Sequence, residues 1–306
     1  MTDATAPTLR PLGVGDIVDR TIGIYRASPV LFLVLAALPY VVLAIVTLLL
    51  NLVFVRTTSL AALPTTIFDP TDPTRLMSFT PDQLSGIVTV AVIIGVVSLL
   101  VLSVQAAAIV DAMSKRYLGQ PATLAGSLRV GLRASVRLIL ASIVALVTFI
   151  IVVAVVAVML ALATTVTGNP IPAVIGVIGM FVLVFYLVAS WMPLPAVVTL
   201  EGRGPVSGLR RSWQLAGGAR WRILGLLILM TILQAILGLL FAFLFLGTIV
   251  TEGAVKTVLQ EVVNLAVNAL WAPIQWGVFT VLYYDLRVRK EAFDLQLAAE
   301  AMPRAT

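Results

Sequence analysis

Six stretches of this chain run for 23 residues or more without one Asp, Glu, Lys, Arg or His: 29–55, 84–110, 138–163, 171–200, 223–250 and 262–284. A helix of ~20 apolar residues is enough to cross a hydrocarbon core ~30 Å thick. With no water inside that core, each stretch must satisfy its own backbone N–H and C=O groups, and a helix does so within one segment. The pattern therefore predicts an all-α, polytopic membrane protein with six transmembrane helices. It divides into a segment 1–28 that carries an amphipathic helix, a transmembrane domain 29–284 and a charged tail 285–306.

The polar stretches between the apolar runs sort by charge. Lys and Arg number three in 1–28, five in 111–137, five in 201–222 and four in 285–306. The connections on the other side hold only Arg56, Arg75 and Lys256. Such alternation is the positive-inside pattern, and it predicts both termini on the cytoplasmic side of the membrane. Tyr283 and Tyr284 then fall at headgroup level, as interfacial aromatics. Of the outer connections, the first is rich in Pro, Asp and Thr and reads as irregular. The second, "TTVTGNP", reads as a tight turn.

Before spans one, three and five the period changes. In "LGVGDIVDRTIGIYR", Val14, Ile17, Val18, Thr21 and Tyr25 share a helical face, with Asp16, Asp19, Arg20 and Gly23 largely opposite. In "TLAGSLRVGLRASVR", Leu124, Leu128, Leu132 and Val136 form one stripe and Arg129, Arg133 and Arg137 another. In "GPVSGLRRSWQLAGGARWR", Val206, Leu209, Trp213 and Ala216 align while Arg210, Arg211 and Gln214 point elsewhere. Apolar positions at i, i+3, i+4 and i+7 with Arg behind them predict cytoplasmic interfacial amphipathic helices. Three copies of one unit, interfacial helix and hairpin of spans, is the corresponding repeat. The alternative is that any basic loop between spans acquires such a pattern. In the tail, Leu286, Phe293 and Leu297 share a face, and Asp285–Arg289 and Lys290–Asp294 are spaced for i,i+4 ion pairs. A helix running on from span six and leaning on the membrane surface is the expectation.

Composition agrees and narrows the chemistry. Sixty per cent of residues are hydrophobic, 11% are charged and mean hydropathy is +1.10, against about 25% charged in soluble domains. The net charge of +6 lies between apolar runs, so the expected partner is a bilayer with anionic lipids, and other membrane proteins, rather than nucleic acid. Cys and His are both absent, which excludes disulfides, thiolate nucleophiles and Ser-His-Asp triads. No charge lies inside a span, so the residues that proton relays use are missing. No cofactor, no metal site and no catalytic residue is predicted. Nor is a cleavable signal peptide, since the first 28 residues carry six charges and the apolar run that follows far exceeds an h-region.

Uncharged polarity remains. Asn264, Asn268, Trp271 and Gln275 lie on one face of span six, with Gln105 and Gln234 in spans two and five and Asn51 near the end of span one. They could line a cavity for a polar ligand, or bond across helices for ~0.6 kcal/mol each. Both readings stay open. Pro273 in span six, and Pro193 and Pro195 in span four, are expected to break or bend their helices. Glu201, the lone acid among five Arg, is expected to pair with Arg210, Arg211 or Arg222 and so fix the interfacial helix to the end of span four. The small pairs Ala91/Gly95 and Ala157/Ala161 suggest packing contacts. Arg129, Arg133, Arg137, Arg210, Arg211, Arg220 and Arg222 are the candidate contacts to anionic lipid.

"RPLGVGDIVDRTIGIYR", "PAVVTLEGRGPVSGLRRSWQLAGGARWRILG" and "YYDLRVRKEAFDL" together resemble a bacterial, mostly actinobacterial, six-span family. That family is labelled glycerophosphoryl diester phosphodiesterase membrane domain. The resemblance implies interfacial helices before alternate spans. It carries over architecture only, because the hydrolase to which that domain is fused elsewhere uses His and this chain has none. The expectation for function is a non-enzymatic scaffold or accessory subunit in envelope or lipid processes, with a passive carrier using the span-six polar face as the alternative.

Overall fold

The computed structural model describes residues 11–57, 81–169, 171–244 and 253–301. Every regular element among them is helical: α1 (Val14–Ala27), α2 (Pro29–Thr57), α3 (Pro81–Tyr117), α4 (Leu124–Thr167), α5 (Ile171–Trp191), α6 (Leu194–Leu200), α7 (Pro205–Ala216), α8 (Arg220–Leu244), α9 (Gly253–Glu291) and α10 (Phe293–Ala301). Six of these segments are long and apolar enough to cross a membrane. Most of the connection between spans one and two, 58–80, and residues 245–252 lie outside the described residues, as does the side chain of Asn51.

Three spans are far longer than a bilayer requires. At ~1.5 Å per residue, the 37, 44 and 39 residues of α3, α4 and α9 extend roughly 55, 66 and 58 Å, close to twice the hydrocarbon core. In α3 and α4 most of the surplus lies at the end that carries Lys115 and Arg129, while α9 extends past its apolar run at both ends; the end with Lys115, Arg129 and Arg289 is here called the charged end. The consequence for span three is a difference from expectation. No separate amphipathic helix precedes it, because α4 starts at a Thr123 cap, whose hydroxyl accepts from Gly126 N at 3.3 Å, and runs unbroken to Thr167. No Pro interrupts residues 124–167, so nothing forces a turn there.

Separate short helices do stand before spans one and five. In α1 the face of Ile17, Val18 and Thr21 is buried, and Asp16, Asp19, Arg20 and Gly23 are exposed, as the period predicted. In α7 the buried face is Gly208, Leu209, Ser212, Leu215 and Ala216, while Val206 and Trp213 are exposed. The expected stripe is thus rotated. Small residues at 208, 212 and 216 let the helix lie close against α5 and α6, and Ser212 Oγ donates to Ser190 O at 2.9 Å.

The prolines behave differently from one another. Pro193 caps α6 and Pro195 sits in its first turn, where a missing N–H costs nothing, so span four is divided into α5 and α6. Pro273 lies within α9, which continues through it without a break.

The core is confined to one half of the bundle. Among the described residues the buried side chains lie in the half of the helix nearer the charged end or in the segments beyond it, with Trp271 and Ala272 at the middle of α9. At the opposite end Val155, Val158, Phe181, Leu239 and Phe243 are exposed. Lipid tails are as apolar as these side chains, so burying them against each other gains little. Helices close up where small residues permit. Between α3 and α4 these are Ala107, Ala108, Gly131 and Ala134, and a Cβ on Gly131 would stand 2.7 Å from Val104 O. Ala91 and Gly95 are exposed instead, and Ala157 and Ala161 line a shallow groove against α5.

Candidate functional site

Three carboxylates, with Glu291 beside the second, tie the charged end together. Asp285, 1% exposed, is the first. It stands where α9 continues past its apolar stretch, and it accepts from Leu12 N at 2.7 Å, Arg222 Nη1 at 2.5 Å and Arg289 Nε at 3.1 Å. Leu12 O in turn accepts from Arg222 Nη2 and from Arg289 Nη2. A closed ring thus binds the segment before α1 to the start of α8 and the end of α9.

Glu201, at the end of α6, is the second. Arg203 Nε donates to it at 2.7 Å, Arg211 Nε at 3.1 Å and Tyr283 Oη at 3.0 Å. Arg211 also reaches Glu291 at 2.5 Å, and Glu291 pairs with Arg287 at 3.0 Å. Partial burial raises the pKa of the Glu201 carboxyl, but the hydrogen bonds from Arg203, Arg211 and Tyr283 outweigh that and hold it below the usual range. The expected link between Glu201 and α7 is therefore made by Arg211, whereas Arg210 is exposed and Arg222 goes to Asp285.

Asp111 on α3 is the third, taking Lys115 Nζ at 2.7 Å and Ser127 Oγ at 2.8 Å. Beside it Ser114 Oγ and Tyr284 Oη share a hydrogen bond of 2.6 Å, and Tyr117 stacks on Tyr284 with centroids 5.2 Å apart. Tyr283 and Tyr284 are both buried inside the protein, not set at a lipid interface as the sequence suggested. Their hydroxyls reach carboxylate and hydroxyl partners on other helices, which a boundary position would have left to water. In the tail, Asp285–Arg289 forms as spaced. Lys290 instead donates to Gln214 O at 2.5 Å, since α9 ends at Glu291 and Ala292, with φ 49°, turns the chain before α10.

The polar residues of the spans divide. Gln105 Nε2 donates to Asn268 Oδ1 at 2.7 Å and to Ala36 O at 2.6 Å, joining α2, α3 and α9. Gln275 is half-buried on α9, while Asn264 and Gln234 are exposed on α9 and α8. Trp271 is buried, and its Nε1 has no partner among the described residues.

Of the candidate lipid-contacting arginines, Arg129, Arg133 and Arg210 are exposed. Arg137 donates to Gly202 O at 2.8 Å. Arg211 and Arg222 are committed to carboxylates, and Arg220 Nε donates to Ser190 Oγ at 2.8 Å. Among the described residues no group of three or more Asp, Glu, His or Cys is placed to hold a metal ion. What sequence reasoning missed is the Asp285–Leu12 contact, whose partners stand 273 residues apart, and the role of Asp111, which joins Lys115 one turn on to Ser127 of the next helix. The available signal was one buried-type acid, Asp111, between an apolar run and Lys115.

Fold and contacts together define a multi-pass helical membrane protein whose charged end is a network of fastened carboxylates. The chain belongs to the family described as a domain of unknown function, DUF7847, whose match covers residues 12–286. No curated protein and no solved structure matches it.

Proposed function

We propose that this protein is a non-enzymatic scaffold or accessory subunit of the bacterial cytoplasmic membrane, acting in envelope or lipid processes, with its charged end in the cytoplasm. One observation carries the reading: Asp285, Glu201 and Asp111 each have basic and neutral donors already on them. Carboxylates so engaged fasten helices; a general base must reach a proton on a substrate. The distribution of Lys and Arg supports the orientation, and exposed Arg129, Arg133 and Arg210 are the side chains free to meet anionic headgroups. The resemblance to the glycerophosphoryl diester phosphodiesterase membrane domain belongs to the same proposal and supports its architecture alone.

The carrier alternative relies on the span-six polar face. Gln105 and Asn268 are bonded to each other, which favours fastening over lining. The test is a comparison in anionic liposomes of the wild type with Arg129→Gln/Arg133→Gln/Arg210→Gln. Faster hydrogen exchange at residues 124–137 and 205–216 with intact spans is expected, and unchanged exchange would remove the lipid-facing part of the proposal. Lipid redistribution that stops on Asn264→Leu/Asn268→Leu substitution would instead establish the carrier.

A further inference from the structure

Arg220 differs from its neighbours. Arg211 and Arg222 face carboxylates, but Arg220 has no acidic partner among the described residues. Its Nε is taken by Ser190 Oγ at 2.8 Å. Its guanidinium carbon lies 4.3 Å from the Tyr186 ring centroid and 4.9 Å from that of Trp213. Aromatic faces stabilise a cation without neutralising it. The two terminal nitrogens, with four N–H donors between them, have no protein acceptor among the described residues. They form the fork that binds phosphate oxygens in pairs.

This cation stands at the mouth of a crevice of about 550 Å³ between the charged ends of α5 and α8. That volume lies within the ~300–1,000 Å³ of small-molecule sites. Val182, Phe185 and Leu224 give it apolar walls, and Trp221, 83% exposed, flanks Arg220 at the start of α8. An indole at the end of a span is placed as membrane-interface aromatics are. Aliphatic wall, interfacial indole and unneutralised guanidinium follow one another in the order of a lipid's parts: chain, glycerol region, phosphate.

We propose that this crevice binds one anionic phospholipid from the leaflet at the charged end, its phosphate diester on Arg220 and an acyl chain against Val182, Phe185 and Leu224. The site deepens the lipid-facing reading above and rests on it for the identity of the leaflet. A soluble phosphate would use Arg220 and leave the apolar walls to other lipid, so the occupant is the whole lipid. A net negative headgroup is favoured over a zwitterionic one, because Arg220 carries the site's uncompensated charge.

Native mass spectrometry of the detergent-purified full chain tests this, with phosphatidylglycerol, phosphatidylcholine and inorganic phosphate as probes. One phosphatidylglycerol per chain is expected to remain bound in preference to phosphatidylcholine, with inorganic phosphate much weaker. Arg220→Gln should weaken retention by about tenfold or more, as for loss of a charge-assisted pair. Val182→Trp, which fills the wall and leaves Arg220 and its Ser190 bond in place, should do the same and covers the case in which Arg220→Gln loosens α7. Arg116→Gln, at an exposed arginine of the charged end outside the crevice and outside the proposed headgroup contacts, should retain the lipid. The proposal is overturned if either crevice variant holds phosphatidylglycerol like the wild type, if Arg116→Gln sheds it equally, or if phosphatidylcholine or inorganic phosphate binds as well. Because the liposome experiment on Arg129, Arg133 and Arg210 leaves the crevice untouched, failure of that reading and failure of this site are separate results.

Discussion

Asp285 Oδ1 accepts a hydrogen bond from the backbone N–H of Leu12 at 2.7 Å, across 273 residues of chain. The carboxylate is out of solvent and paired with both Arg222 and Arg289, so it joins the two ends of the family domain. Removing one partner of such a buried group leaves the others uncompensated.

Asp285→Ala is therefore expected to cost about 3–5 kcal/mol and to lower the thermal midpoint in detergent more than any other single change at the charged end. Arg289→Ala, at the more exposed partner, should cost less. Equal midpoints for Asp285→Ala and the wild type would show the ring to be incidental.

Acid should loosen the same end through Glu201. Its folded pKa is depressed, so the stabilisation is present above the unfolded value of 4.5 and is lost as pH falls through the lower folded value. Unfolding midpoints followed from pH 7 to pH 3 should fall more steeply below about pH 4.5 in the wild type than in Glu201→Gln. Parallel curves would deny Glu201 that role.

Gly131 and Gly277 both sit at close helix approaches, yet their substitutions should differ. A Cβ at 131 meets the fixed carbonyl of Val104 at 2.7 Å, whereas at 277 it meets the mobile end of Met113 at 2.5 Å and the shorter Thr21 at 2.6 Å. Gly131→Ala is expected to cost about 1–3 kcal/mol, and Gly277→Ala less. The order of the two thermal midpoints decides it.

Gln105→Leu removes both bonds that link α3 to Ala36 and Asn268. A loss of about 1 kcal/mol is expected from two intramembrane bonds, with no change in lipid redistribution by proteoliposomes. Faster or slower redistribution would mean that the Gln105–Asn268 pair lines a path.

Topology is open to a clean measurement, since the chain has no native cysteine. Ser59→Cys and Gln296→Cys, made singly, should react with impermeant maleimide from opposite faces of the membrane. Labelling from the same face would undo the six-span orientation.

The number and place of the spans could be read along the chain because the cost of carrying a residue into hydrocarbon belongs to that residue and its near neighbours. Runs without charge, basic connections and the division of span four at Pro193 follow from such local terms. Even the α1 face came from a local period. The partners at the charged end did not. Arg210, Arg211 or Arg222 could have met Glu201, and of these Arg211 does so because α7 lies back across α5 and α6.

Which face of each helix turns inward was equally hidden, and for a reason particular to membranes. Leu132 faces out and Leu138 faces in on the same helix, though the two side chains are identical, because lipid and protein interior are alike to a leucine. What distinguishes the faces is shape and hydrogen bonding: Gly131 and Ala134 allow close approach, and Asp111, Gln105 and Asp285 each need a partner that hydrocarbon cannot supply. Charge and hydropathy thus set how many times the chain crosses, while the meeting of small residues and polar groups from distant segments set how the crossings pack.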